Sequence, residues 1–205
     1  MIDSHAHLYF DAFDADRDAV IARAREAGVA AIVNIGVDVP SSEACIALAG
    51  AHAGFFASAG IHPTTPVADG ELETQVHRLR GLVHAHRTRV VAIGEIGLDY
   101  HWREVPGAAQ KEKLRAQLAL ARELGLPVVF HCREALPALF AVLEAEESLP
   151  AGVFHCFSGG AEEAHRALAL GFHVSFAGNV TYPRAGMLQE AARAMEASLR
   201  SYDLL

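Results

Sequence analysis

Short apolar runs alternate along this chain with longer segments of helical period. The runs that read as strands are IDSHAHL at 2–8, VAAIVNIGV at 29–37, GFFASAGI at 54–61, VVAIGEIGL at 90–98, LPVVFH at 126–131, AGVFH at 151–155 and GFHVSFAG at 171–178. Most are rich in Val, Ile, Phe and small residues and are set off by glycine or proline, as buried strands are. Two intervening segments carry a clear helical stripe. In DADRDAVIARAREAG, at 14–28, Val20, Ile21, Ala24 and Ala27 share one face, and Gly28 stands where a helix stops. In AAQKEKLRAQLALARELG, at 108–125, the stripe is Leu114, Leu118, Ala121 and Leu124, closed by Gly125.

Strands alternating with helices, and hydrophobic throughout, predict a parallel sheet covered by helices, an α/β fold. Seven such units suit a closed TIM-type (β/α) barrel better than an open doubly wound sheet. The segment after the first strand, HAHLYF, contains no glycine, so the dinucleotide-binding fingerprint is absent there. No linker, charge block or low-complexity segment divides the chain, and residues 1–205 read as a single barrel.

Several polar positions stand out against this pattern. His5 and His7 alternate on the first strand and so share a face with Asp3. Glu95 falls near the end of the fourth strand, His131 ends the fifth and His155 ends the sixth. In a (β/α) barrel the reactive groups sit at the C-terminal ends of the strands. Buried imidazoles and carboxylates gathered there are costly unless paired or bound to metal. Satisfied core histidines explain one such residue well and five poorly, so the pattern points to a metal.

Composition narrows the reading. A chain of 205 residues with 52% hydrophobic and 20% charged positions is that of a folded globular protein. No apolar run is long enough to span a bilayer, and nothing at the N-terminus reads as an export signal. The three cysteines, Cys45, Cys132 and Cys156, lack C-x-x-C spacing and predict no disulfide framework, in keeping with a cytoplasmic protein. A net charge of −8 excludes coating nucleic acid by general electrostatics. It leaves open a phosphodiester handled at one site, since bound cations bring their own positive charge.

The segments DSHAHL, GIHP, GEIGLDYHW, VVFHCRE and GVFHCFSGG, with QKEKLRAQLALARELGLPVVFHCREA leading into the fifth strand, resemble the TatD family of metal-dependent hydrolases, within the amidohydrolase-like barrels. The resemblance runs from residue 2 to about residue 185. It implies a two-metal site that cleaves phosphodiester bonds, typically as a deoxyribonuclease acting on DNA. Carried over position by position, it makes His5 and His7 ligands of one metal and His131 and His155 ligands of the other. Glu95 bridges both and is the catalytic carboxylate. A carboxylate can span two ions roughly 3.5–4 Å apart. Imidazole-rich ligation suits Zn or Mn, whereas the family is often described as using Mg.

Neighbouring residues read less sharply. Arg133 reads equally as a phosphate clamp and as a solvated arginine paired with a carboxylate. His62 reads as a rim histidine from the residues alone, and the resemblance gives it a contact with the substrate phosphate. Asp99 and Tyr100 are placed to support the ligands, and Cys132 and Cys156 to face the helices as small core residues.

The family pattern ends an eighth strand with an aspartate that completes the first metal site and takes the water's proton. Here SLRSYDLL reads as the beginning of that strand, so the barrel is expected to be truncated within it, and Asp203 is placed too early to substitute. That departure sustains two alternatives: a metal-binding protein with little activity, and a hydrolase of a small-molecule ester or amide, or of acylated tRNA. The expected state is a monomer with no membrane partner.

Overall fold

The structure, a computed structural model, describes residues 1–202, with side chains through 196. Seven strands follow one another in the order they occur in the chain: β1 (Ile2–Ala6), β2 (Ala31–Asn34), β3 (Phe55–Ala59), β4 (Val90–Asp99), β5 (Val128–Arg133), β6 (Gly152–Phe154) and β7 (Phe172–Val174). Every neighbouring pair is parallel, in the order β1-β2-β3-β4-β5-β6-β7. Each apolar run picked out in the sequence overlaps one of them. The helices that connect them are α1 (Arg17–Glu26), α2 (Val39–Ala51), α3 (Leu72–Ala85), α4 (Gly107–Leu124), α5 (Leu136–Leu143) and α6 (Ala161–Ala169), with α7 (Gly186–Tyr202) after β7.

The sheet curls. In a flat sheet β1 and β6, five steps apart, would be separated by roughly 24 Å. Instead the rings of His5, on β1, and His155, just past β6, stack with centroids 3.2 Å apart. This is the sequential, parallel order and curvature of a TIM-type barrel. Among the described residues β1 and β7 each pair on one side only.

Local sequence explains the ends of the elements. Gly125 closes α4 at φ 61° and Gly28 follows α1 at φ 85°, left-handed positions that glycine occupies without strain. On α4 the stripe Leu114, Leu118, Ala121 and Leu124 is buried as expected. On α1 only Ile21 is buried; Val20 and Ala24 pack at the edge, and Ala27 lies past the last turn and is exposed. The core includes a cluster of Phe130, Phe154 and Phe172, one each from β5, β6 and β7, with ring centroids 5.1–5.7 Å apart.

Two expectations about boundaries need correction. β5 does not end at His131 but continues to Arg133. The residues SLRSY do not begin a strand: they are the last turns of α7, a helix whose buried stripe Leu188, Ala191 and Met195 repeats at helical spacing. Asp203 lies outside the described residues.

Candidate metal centre

Glu95 lies in the interior of β4 rather than near its end, and its position is set by a break in register. Gly94 pairs with Val129 and Ile96 with Phe130, which leaves Glu95 as the extra residue of a bulge. Two residues on, Gly97 has φ 144°, and a Cβ there would meet the His131 carbonyl oxygen at 1.9 Å. Only glycine lets β4 and β5 approach this closely. The carboxylate that results is almost fully buried, 4% exposed, at the mouth of the curled sheet.

The structure brings the expected residues together around it. A cavity of about 580 Å³ is lined by His5, His7, His62, Glu95, His131, Arg133 and His155. On the β1 side, the Nε2 atoms of His5 and His7 lie 3.1 Å apart, and His5 Nε2 is 3.5 Å from Glu95 Oε2. On the β5 side, His131 Nδ1 is 3.0 Å from Glu95 Oε1. Two donor sets have atoms within 4.8 Å of one another: His5, His7 and Glu95, and His62, Glu95 and His131. His155 joins neither set in this geometry; its ring lies flat on that of His5. His62, beyond β3, has its ring edge-on to His131 at 4.3 Å.

The donor sets suit a divalent cation on structural grounds. Three nitrogen and carboxylate donors converge in each, and His5 Nδ1 is buried without a hydrogen-bond partner, so this imidazole lacks one partner within the protein.

Electrostatics divides the site. Burial, reinforced by the charge of His5, pushes the His7 imidazole down; burial and the charges of neighbouring histidines bring His62 and His155 to about 4. These groups are neutral at physiological pH, as metal ligands must be. His131 behaves oppositely: burial lowers it, but hydrogen bonds and charges from Glu95 and Asp99 outweigh that and raise it. Burial likewise works against the Glu95 anion, and hydrogen bonds with His131 and His5 overcome it, holding the acid well below the usual carboxylate range.

Asp99, expected only to support the ligands, has a specific task. It is the last residue of β4 and is 1% exposed, with Oδ2 2.7 Å from His131 Nε2. Its Oδ1 accepts from the backbone N–H groups of His101 and Trp102. Arg133 is exposed at the cavity rim with its guanidinium 5.8 Å from the Trp102 ring, so its neighbour is an aromatic face. Cys132 and Cys156 are half-buried and edge the cavity instead of facing only the helices, because β5 persists and the chain turns sharply after β6, with Cys156 at φ 46°. Burial pushes the Cys132 thiol up to about 12, so it is not a thiolate.

One feature of the site has no counterpart in the sequence reading. Gln110, Lys113 and Gln117 are polar residues on α4 that are almost fully buried. Gln117 clasps the backbone N–H and carbonyl of Ile61, and Gln110 does the same for Asp99. Lys113 Nζ donates to the carbonyls of His62, Pro63 and Thr65. Together they pin the ends of β3 and β4 and the loop that carries His62. Their spacing of three and four residues on one helix face is the signal that could have disclosed them.

Comparison with known proteins agrees with this geometry. The family model described as TatD related DNase matches residues 2–199. An uncharacterized metal-dependent hydrolase, YabD of Bacillus subtilis, is 36% identical over 194 residues, which cover 94% of this chain and 74% of that protein. The 3′-5′ ssDNA/RNA exonuclease TatD of Cronobacter sakazakii is 38% identical over 188 residues, 91% of this chain and 70% of that one. Among solved structures, YJJV, a TatD homolog from Escherichia coli K12, superposes with a TM-score of 0.82 at 32% identity, covering 93% of this chain and 73% of its own.

Proposed function

The chain belongs to the TatD related DNase family, and on that premise we propose that it is a metal-dependent hydrolase that holds two divalent cations, one on either side of Glu95, and cleaves phosphodiester bonds of single-stranded nucleic acid, DNA in the first place. The observation that carries this reading is the placement of Glu95, the one carboxylate common to both donor sets, with Oε2 toward His5 and Oε1 toward His131. His5, His7 and Glu95 would hold one cation; Glu95 and His131 would hold the other, joined by His155, whose ring would first leave its stack on His5. Bound there, the cations supply a water acidified toward neutrality and positive charge for the phosphate oxygens. Zn or Mn suits the imidazole-rich donors best, with Mg as the alternative.

The chain's own groups do the rest. Asp99 accepts the Nε2 proton of His131, which fixes the ring and leaves Nδ1, beside Glu95, as the nitrogen for a cation. His62 is a substrate contact. Its Nδ1 accepts from the Thr64 backbone N–H at 3.2 Å, so the proton sits on Nε2, where a neutral imidazole donates to a phosphate oxygen without itself being a ligand. Arg133, at the rim, offers a planar pair of donors to a second phosphate oxygen.

The test is an end-labelled single-stranded DNA and its RNA counterpart, incubated with the chain and Mg²⁺, Mn²⁺ or Zn²⁺ in turn. Shortening of the label that requires a cation is expected. Intact nucleic acid beside turnover of a simple carboxylic ester under the same conditions overturns the reading.

A further inference from the structure

Trp102 is the chain's only tryptophan, and it is 51% exposed beside the reactive cavity. Its position is not left to chance. Asp99 Oδ1 accepts from the Trp102 backbone N–H at 2.9 Å, while the other oxygen of the same carboxylate meets His131 at 2.7 Å. The preceding loop is tied to β5 as well, since the Tyr100 N–H donates to the Arg133 carbonyl at 2.9 Å. On one side of the indole stands the Arg133 guanidinium, which also lines the main cavity. Trp102 also borders a second cavity, of about 350 Å³, together with Tyr100, Arg103 and Pro106. A large aromatic surface is thus held in water, with the Arg133 guanidinium 5.8 Å from the ring and the His101 ring edge-on at 4.9 Å, on a loop anchored to a residue of the metal centre.

We propose that Trp102 is a stacking platform for a base of a single-stranded nucleic acid whose neighbouring phosphate lies in the metal centre. This rests on the function proposed above and adds a subsite to it. Exposed aromatic faces beside cationic groups are how proteins hold single strands, the ring taking the base and the cation the backbone. Arg133 and Arg103 supply that charge locally in a chain whose net charge is −8; of the nearby acids, Glu134 is engaged by His101 at 2.8 Å and Glu104 lies exposed beside Arg103. The subsite should not distinguish bases. The Gln110 and Asp99 groups beneath the loop are consumed: Gln110 clasps the Asp99 backbone and the Val105 carbonyl, and both Asp99 oxygens are engaged. What faces a base is an aromatic surface, and every base has a π-face to meet it.

The single tryptophan makes the test direct. The metal-loaded chain is titrated with phosphorothioate oligonucleotides, which resist hydrolysis, while indole emission is followed. Saturable quenching of similar depth by oligo-dT and oligo-dA is expected, with little from an abasic strand of equal length. Trp102→Ala should weaken binding of a labelled oligonucleotide by about 5- to 150-fold, the range for loss of one stacked base, and Trp102→Phe should recover most of it. Equal quenching by the abasic strand overturns stacking. So does unchanged affinity in Trp102→Ala, or a Phe variant as weak as the Ala variant. If the wild-type chain shortens unmodified DNA yet shows no quenching, this subsite fails and the nuclease reading stands. If it neither binds nor cleaves nucleic acid while remaining metal-loaded, both fail.

Discussion

The two sides of Glu95 are built on opposite principles. Toward β1, the Nε2 atoms of His5 and His7 meet each other and His5 Nε2 also faces Glu95 Oε2, while His7 Nδ1 donates to the Ile35 carbonyl; His5 Nδ1 has no partner, and burial pushes His7 down. Toward β5, His131 is gripped at both nitrogens by carboxylates and raised. One side is a pair of imidazoles with, among the described residues, no carboxylate behind them. The other already holds a proton where a cation would sit, with a second carboxylate fixing the ring. The difference teaches that two flanks of one carboxylate need not be equivalent: on the two-cation reading, partners one bond further out would decide how each site fills and empties.

On the two-cation reading, the largest effect comes from removing what the sides share. Glu95→Gln should abolish tight uptake on both and lower turnover by on the order of 10³-fold, beyond the 10- to 100-fold typical of losing an outer partner. Metal analysis after gel filtration checks it, and loss of a single equivalent would assign Glu95 to one side and break the comparison.

Asp99→Asn should separate the sides. The amide keeps an oxygen for the backbone N–H groups but loses the charge that holds His131, so affinity on the β5 side should fall about 10- to 100-fold while the β1 side keeps its cation. An equal loss on both sides, measured by competition with a chelator, would show that Asp99 serves the whole site rather than His131.

Acid should empty the sides in sequence. A proton competes with a cation for imidazole nitrogen. Because His131 is raised above the usual 6.5, protons displace its cation first as pH falls; His7, pushed below 6.5, stays neutral further down. Metal content measured at stepwise lower pH should therefore drop in two steps. A single step for both would contradict the contrast.

The curled parallel sheet was legible because buried strands announce themselves as apolar runs, and Gly28 and Gly125 mark helix ends by their left-handed conformation. Gathering of His5, His7, Glu95, His131 and His155 at one mouth was legible because strand ends share a face of the barrel. What was hidden depends on pairing that no local pattern records. The bulge at Glu95 exists only in the register between β4 and β5. Gln110, Lys113 and Gln117 look like the solvated face of α4, since periodicity assigns polar positions to water; their partners are backbone groups of Asp99, Ile61 and the His62 loop, far away in the chain. SLRSY reads as a strand in isolation because five residues carry too little period to mark a helix, and the stripe that does mark it, Leu188, Ala191 and Met195, lies before it.

Lys113 carries the smallest effect on activity and the sharpest test of how the β5 side is supported. It is 3% exposed, and its ammonium donates to the carbonyls of His62, Pro63 and Thr65. Lys113→Met leaves those carbonyls without their donor, so the loop that presents His62 should loosen. KM for an oligonucleotide should rise about 2- to 10-fold, the worth of a net hydrogen bond, with metal uptake unchanged. Stability gives an independent reading. Burial brings Lys113 down from 10.5 to about 8. Between these values the unfolded chain still binds the proton that the folded chain has released, so the fold gains stability as pH rises through this window and gains nothing from Lys113 below it. Denaturant unfolding of wild type and Lys113→Met at matched pH subtracts every other titrating group. The difference between them should be flat below pH 8 and then grow in favour of wild type. A difference that stays flat to pH 10.5 would mean that the three carbonyls hold the ammonium charged, and that the His62 loop is gripped by a cation throughout.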